Sequence, residues 1–481
     1  MKVVANEVAG GRGLAQRAQR YALATPQAGY AEQDAAEIYD AATACLRGVV
    51  DELKTLGRRP VAVGFSAAMH GLLALDARGE PISPLITWMD RRSAAIADGW
   101  RRDGTAAGLY ERTGAPVHPM LPLCKLRWLA DNDPALFKRA ARFAGMKELI
   151  VYRWAGEWLV DAGIASATGM FDAQRKAWDD AALEAATVGP ERLSSAVPCA
   201  TQRPILPEVA RELGIEGETQ LVLGSSDGAL ANLGSGAVSP ELAALTLGTS
   251  GAVRVVLPEP SFDLQARTFA YAFDDERWLV GGPTSSAGAV LDWVFALLFP
   301  DVPAERRFEE GLRAAQRSPI GARGLTMLPY LSGERAPYWR GDLRGALFGL
   351  EFIHDRDDIA RAALEAIVFA IFAVHRVLRG LGIEPQALVL SGGVTHSPLI
   401  AQTIADVFGI ETRISDREEA SAFGAAMFAA LAIGMLESLD DAVAAVRYPA
   451  VYRPEKAGAR EYREALERFD AFTSETLARP P

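Results

Sequence analysis

Four loops of the sequence combine small, permissive backbone with side chains able to hold or move charge. The first is Gly224-Ser225-Ser226-Asp227-Gly228, directly after the apolar run Leu221–Leu223. Ligands collect beyond the carboxyl ends of strands in open α/β sheets. A carboxylate there could take the proton of a substrate hydroxyl. Asp227 could equally cap the helix that begins at Ala229. The second is Leu247-Gly248-Thr249-Ser250-Gly251, where glycines let a charged group approach several N–H donors and the hydroxyls add more. It reads either as a phosphate cradle or as an ordinary hairpin turn. The third is Ser391-Gly392-Gly393-Val394, followed by Thr395-His396-Ser397 and a helix. Paired glycines there permit a flat ring or a phosphate to rest on the chain, or merely a close-packed turn. The fourth joins Ser66-Ala67-Ala68-Met69-His70-Gly71 to Thr87-Trp88-Met89-Asp90-Arg91-Arg92. An imidazole, an indole, a carboxylate and guanidinium groups suit a polyhydroxylated ligand, although a lone histidine is more often a hydrogen-bonded core residue.

The missing patterns narrow the chemistry. The sequence has no G-x-x-x-x-G-K-[ST], no H-E-x-x-H and no G-x-S-x-G. P-loop nucleotide binding, zincin chemistry and the nucleophile elbow are thereby excluded. His118, His354, His375 and His396 show no metal-ligand spacing.

The elements that must position these loops are legible from periodicity. Val61–Phe65, Leu221–Leu223, Ala244–Leu247 and Ala387–Leu390 are short apolar runs that pass straight into Gly or Ser or, after Phe65, into Ser66. They read as buried strands. Asp34–Glu52 and Asp357–Leu378 carry apolar residues at helical spacing behind acidic first turns. Strands alternating with helices predict an α/β architecture. The cluster of small and turn residues at Gly234–Pro240 suggests a boundary, giving 1–234 and 235–481 as two domains.

At 481 residues the chain exceeds what one core usually organises. Its 50 basic and 61 acidic residues give a net charge of −11, without basic blocks. Nucleic acid and anionic membrane are therefore poor partners, and any anionic ligand must be held by local amides, metal or a few cations. Cys45, Cys124 and Cys199 lie far apart and read as reduced, cytoplasmic residues. The N-terminus lacks the pattern of a signal peptide. Ala420–Leu436 holds one polar residue, Ser421, but is alanine-rich, short for a span and flanked by acids. It reads as a buried helix rather than a membrane segment.

Taken together, these residues resemble the FGGY carbohydrate kinases. Met120–Asn132 (MLPLCKLRWLADN) carries Pro122, Lys125, Trp128 and Leu129 in the family's places. Gly345–Glu365 carries Gly349, Asp358, Ala362 and Glu365 in register. Within the family, Thr113–Leu129, Ala165–Asp172, Ser225–Gly236, Leu247–Arg254 and Leu328–Trp339 are most similar to gluconate kinases. The resemblance implies two actin-like α/β domains around a cleft, with ATP and Mg²⁺ as cofactors and D-gluconate as the acceptor. It makes Asp227 the catalytic base, and a metal contact only through Mg-ATP. Gly248, Thr249 and Ser250 become a phosphate loop. Gly392 and Gly393 become adenosine contacts, with Gly288 and Ser397 close to the nucleotide. Ala68, Met69, His70, Trp88 and Asp90 occupy the sugar-contact segments. Arg91, Lys147 and Arg335 are candidate partners for a substrate carboxylate.

Xylulose or another sugar or polyol leaves this mechanism unchanged. A sugar-independent ATPase and a catalytically impaired sugar-binding relative are the readings from other classes. The implied protein is cytoplasmic and possibly homodimeric. One departure stands out: the family opens with a strand and an Asp-x-Gly-Thr-Thr turn, whereas Met1–Ala5 here resembles the second strand. The N-terminal domain is thus expected to lack its first strand. An internal methionine of a longer reading frame would account for this, and a chain without the turn is expected to turn over ATP slowly.

Overall fold

The computed structural model describes residues 1–172, 174–393 and 397–479. The chain forms two compact units that are not contiguous in sequence. The first comprises Met1–Gly236, Leu257–Leu279 and Glu419–Val446. The second comprises Ala237–Val256, Val280–Glu418 and Arg447–Pro481. A single cut at residue 234 therefore leaves out two later segments that pack into the first unit.

In the first unit, Ala62–Ala67 pairs in parallel with Gln220–Ser226, whose other edge takes Gln202–Pro204 antiparallel. The strands run two or three residues past the apolar runs that announce them, because Ser225 and Ser226 are buried in the ladder although polar. The helix Ala35–Thr55 starts at Asp34, whose carboxylate accepts from the amides of Ala36 (2.7 Å) and Glu37 (3.1 Å). Its Leu46 and Val50 join Val151, Trp154, Leu213, Leu221 and Leu223 in one apolar core. The strand Lys2–Asn6 pairs antiparallel with Gly13–Ala18 in a separate two-stranded sheet. A cavity of about 990 Å³ is lined both by Lys2–Asn6 and by Ala62–Ala67.

The alanine-rich segment forms a helix, Ala420–Ala432, in this unit. It packs against the helix Asp227–Ser235 so closely that only glycine fits at two points. A Cβ on Gly234 would lie 1.7 Å from the Ala420 carbonyl oxygen, and one on Gly424 would lie 1.9 Å from that of Leu230. No helix among the described residues is long and apolar enough to cross a membrane.

In the second unit the hairpin Leu242–Leu247 and Gly251–Leu257 is antiparallel. Leu242–Leu247 also pairs in parallel with Ala387–Ser391, which pairs in parallel with Glu411–Ile414. The antiparallel strand Ala450–Tyr452 follows at the edge. The helix Arg356–Gly380 is buried along most of its 25 residues. Asp355 caps it, accepting from the amides of Asp357 and Asp358. The family-signature residue Asp358 is fully buried; it accepts from the Ser318 hydroxyl (2.6 Å) and the Arg323 guanidinium (2.6 Å). Such groups hold the fold rather than a ligand. Cys45, Cys124 and Cys199 are all buried and unbridged.

Candidate active site

The parallel register of the first unit sets Ala67 beside Ser226. The loop Ala68-Met69-His70 and the residue Asp227 therefore leave adjacent strand ends on the same side. Ala68, Met69, His70, Trp88 and Asp227 all line the 990 Å³ cavity, whose size is within the range of small-molecule sites. Asp227 does not cap its helix. Ser226 does, its hydroxyl accepting from the Ala229 amide at 3.2 Å. Asp227 is the first helical residue, exposed while Ser225, Ser226 and Gly228 around it are buried. The short helix places an anionic group where backbone N–H dipoles favour it.

His70 sits in the left-handed region at φ 68°, uncommon for a residue with a Cβ. Its Nδ1 lies 2.7 Å from the Ala167 carbonyl oxygen. Trp88 and Met89 are exposed, 38% and 40% respectively. Asp90 differs from its neighbours: it is buried, and its oxygens accept from the Ala31 amide (2.8 Å) and from the backbone and guanidinium of Arg92. Asp90 is absent from the cavity lining and acts on the loop from behind. Arg92 also donates to Glu32 at 2.5 Å, and its guanidinium stacks 3.8 Å from the Tyr30 ring centroid.

Of the candidate cations, Lys147 lines the cavity but is committed elsewhere. Its ammonium lies 2.5 Å from Asp161 and donates to the Leu223 carbonyl at 2.9 Å, both groups being buried. Arg335 belongs to the second unit, where it donates to the Thr284 carbonyl at 2.8 Å. Arg91 is exposed, two residues from Asp90's neighbour Met89.

The second unit assembles its candidates in the same manner. Thr246 and Ser391 face each other across parallel strands, their hydroxyl oxygens 3.1 Å apart. Gly248–Ser250 and Gly392–Gly393 thus leave adjacent strand ends. Gly248-Thr249-Ser250 is also the hairpin turn, Leu247 pairing with Gly251, so both readings of that motif describe the same loop. Gly288 begins the helix Gly288–Leu298, and its amide donates to the Gly248 carbonyl at 2.8 Å. The Ala289 amide donates likewise to Thr249 at 3.1 Å. Gly392 has φ +98°, and a Cβ there would lie 2.3 Å from the Leu247 carbonyl oxygen. Gly393 is exposed, and Ser397 stands at the N-cap of Pro398–Phe408. Val394, Thr395 and His396 lie outside the described residues.

Two groups escaped the sequence reading of the site. Lys125, in the helix Pro122–Asn132, is fully buried and donates to the carbonyls of His70, Thr87 and Ile86. Burial draws its ammonium down to about 7. Glu148 also lines the cavity, and burial pushes its carboxyl up to about 7, against the pull of a hydrogen bond from the Gly145 amide at 2.6 Å. The signal was available for Lys125: it is one lysine among Leu123, Cys124 and Leu126, all of them buried.

Comparison with known proteins decides the family. Residues 1–234 match the N-terminal domain, and 243–433 the C-terminal domain, of the FGGY family of carbohydrate kinases. The chain belongs to the FGGY carbohydrate kinases. It is 34% identical over 459 residues to a gluconokinase of Bacillus licheniformis, covering 93% of this chain and 89% of that one. The structure of a gluconate kinase from Lactobacillus acidophilus superposes with TM-score 0.94 at 30% identity, covering 99% of this chain and 96% of the other. A ligand-bound xylulose kinase from the same organism matches with the same score, identity and coverage. This FGGY kinase therefore has the two-domain sugar-kinase fold, of the actin-like ATPase type.

Proposed function

We propose that this FGGY kinase transfers the γ-phosphoryl group of ATP to a terminal hydroxyl of a sugar acid, converting D-gluconate to 6-phospho-D-gluconate in the cytoplasm. The observation that carries the reading is Asp227. It is an exposed carboxylate at a helix start, lining a cavity together with Met69, His70 and Trp88. The similarity to gluconokinases supports the acid substrate.

The acceptor oxygen forms a bond to the γ-phosphorus while the bond to the β–γ bridging oxygen breaks. ADP leaves with that electron pair, and the hydroxyl proton passes to Asp227. Positioning and charge neutralisation dominate such a transfer, so Asp227 need not be strongly basic. Gly248–Ser250 and Gly392–Gly393 offer unhindered backbone to the phosphates and the nucleoside. Mg²⁺ fits this donor set only as a companion of ATP. Among the described residues no group of three or more His, Cys, Asp or Glu could hold a metal ion, while Asp227 supplies one carboxylate. Magnesium commonly keeps its waters and binds through one or two carboxylates plus substrate phosphates. When bound it neutralises phosphate charge.

The test is a coupled ADP-release assay over D-gluconate, D-xylulose, other sugar acids and polyols, with an acceptor-free control. Turnover highest in kcat/KM for D-gluconate supports the proposal. Equal kcat/KM for gluconate and its neutral polyol analogue would overturn the acid assignment. ATP hydrolysis unaffected by any acceptor would overturn the transfer itself. D-Xylulose is the second reading, favoured by the equal structural match to a xylulose kinase.

A further inference from the structure

Two loops contribute side chains to the acceptor cavity, Ala68–His70 and Thr87–Met89. They follow different strands, and one antiparallel bridge ties them at their base, the amides of Leu72 and Ile86 each donating to the other's carbonyl at 3.0 and 2.9 Å. A third element adds to that tie beyond the bridge. From the helix Pro122–Asn132, Lys125 extends its ammonium between them and donates to the carbonyls of His70 at 2.6 Å, Thr87 at 2.8 Å and Ile86 at 3.3 Å. An ammonium has three donors, and here each meets one acceptor. Met69 precedes the first of these carbonyls in the chain and Trp88 follows the second.

We propose that Lys125 is a positioning residue for the acceptor: its ammonium clamps the Ala68–His70 and Thr87–Met89 loops in the arrangement that binds the sugar. The inference rests on the reading of this cavity as the acceptor site.

Three physical points favour a working clamp over a lysine that merely fills space. First, the ammonium is fully buried, yet it makes no salt bridge. Asp90 attracts it through space, but that carboxylate is held by Ala31 and Arg92. Cys124 also favours the charge, whereas Arg92 opposes it. Glu32 is bound to Arg92, and the His70 ring is turned to the Ala167 carbonyl. Burying a cation against carbonyl dipoles alone is costly unless the geometry is needed. Second, the carbonyl it grips most tightly belongs to His70, whose left-handed backbone costs about 1 kcal/mol and requires external support. Third, a neutral amine retains only two donors for three carbonyls, so the clamp weakens when the proton leaves. Burial places that proton loss near neutral pH rather than at the usual 10.5.

The experiment uses the full chain, with ATP and either D-gluconate or D-xylulose, neither of which ionises between pH 6 and 9. KM for acceptor and for ATP is measured across that range for wild type, Lys125→Arg, Lys125→Met and Trp88→Ala. The expected wild-type result is an acceptor KM that rises about tenfold per pH unit above neutrality while KM for ATP stays level. Lys125→Arg, permanently charged, removes the rise. Lys125→Met raises the acceptor KM at least tenfold at pH 7 and also flattens the profile. An acceptor KM that Lys125→Met leaves unchanged at pH 7, or a wild-type rise that persists in Lys125→Arg, overturns the clamp. If Trp88→Ala leaves the acceptor KM unchanged, the cavity is not the acceptor site and the clamp falls with that reading. A sensitive Trp88 with an acceptor KM that Lys125→Met leaves unchanged removes only the lysine. Titration of the lysine side-chain carbons by NMR supplies a readout independent of turnover. A Lys125 resonance that shifts when the acceptor is added supports the proposal, and one indifferent to the acceptor overturns it even if the methionine variant fails to fold.

Discussion

Replacing Gly424 by alanine tests whether the helix that starts at Asp227 is held in place by the returning helix Ala420–Ala432. Two effects oppose each other. Alanine is a better helix former than glycine, by about 1 kcal/mol in a helix interior. Against this, the new Cβ would stand 1.9 Å from the Leu230 carbonyl oxygen and 2.9 Å from the Gly234 nitrogen. Real Cβ atoms essentially never come within 3.0 Å of such neighbours, so the two helices must separate by at least 3.0 − 1.9 = 1.1 Å. The obstacle is backbone, which cannot rotate away as a side chain can. Overpacking of this kind costs typically 1–3 kcal/mol, and the rigid partner puts this site at the upper end. The net expectation is a loss of about 1–2 kcal/mol in chemical denaturation. Because Leu230 lies one turn beyond Asp227, the carboxylate shifts by a similar distance. A misplacement of about 1 Å costs on the order of 10²-fold in rate, read as kcat in the ADP-release assay. Gly99→Ala is the control: Gly99 is inside the helix Ala94–Asp103 with nothing within 4 Å of its Cβ position. That variant should gain about 0.5–1 kcal/mol with kcat unchanged. A Gly424→Ala protein as stable and as active as wild type would refute the reasoning.

Asp227→Asn should lower kcat by about 10²–10⁴-fold with acceptor binding retained, as for loss of a general base; unchanged kcat removes Asp227 from the role. Gly392→Ala combines a strained φ of +98° with a Cβ only 2.3 Å from the Leu247 carbonyl oxygen, so KM for ATP should rise while acceptor KM holds; the reverse pattern would dissociate Gly392 from the nucleotide. Glu148 titrates near 7 in the fold against an ordinary 4.5, so its contribution to stability is fully present below about pH 4.5 and is lost as pH rises through 7. Glu148→Gln should therefore match wild type at pH 4.5 and exceed it by about 2–3 kcal/mol at pH 8, measured by denaturation at both pH values; equal stability at pH 8 contradicts the buried-acid assignment.

The strands that carry the site were readable because each apolar run ends in Gly or Ser, and the observed bounds differ mainly where buried serines continue the ladder. The helices were readable from spacing and acidic first turns, although Asp34, read as part of the first turn, is the N-cap. What the sequence could not show was which polar residues face a ligand and which brace a loop. Asp90 and Trp88 are two residues apart, yet one is 1% and the other 38% exposed. That difference is created by Ala31, Glu32 and Arg92, and Ala31 and Glu32 lie about sixty residues away in sequence. Lys147 read as a possible cation for a substrate carboxylate until Asp161 appeared beside it. The return of Glu419–Val446 to the first unit was equally hidden. It depends on Gly234 and Gly424 meeting across a helix crossing, and isolated glycines in an apolar stretch carry no sign of their partner.

The two units solve the same positioning problem with different chemistry. In each, a pair of parallel strands ends side by side, Ala67 with Ser226 in one and Thr246 with Ser391 in the other. Parallel register fixes where both following loops begin, so two short sequences distant in the chain become a single surface. The loops then diverge by charge. Gly248–Gly251 and Ser391–Gly393 contain no acidic residue, although the chain as a whole carries a net charge of −11. An acid there would repel polyphosphate and occupy the space that bare backbone leaves open. The first unit instead places Asp227 at its strand end, where the proposed transfer needs a group to receive the hydroxyl proton. Exchanging these roles should fail in a specific order. A carboxylate introduced as Thr249→Asp should weaken ATP binding without altering acceptor affinity, because the acceptor loops are braced independently by Lys125 and Asp90.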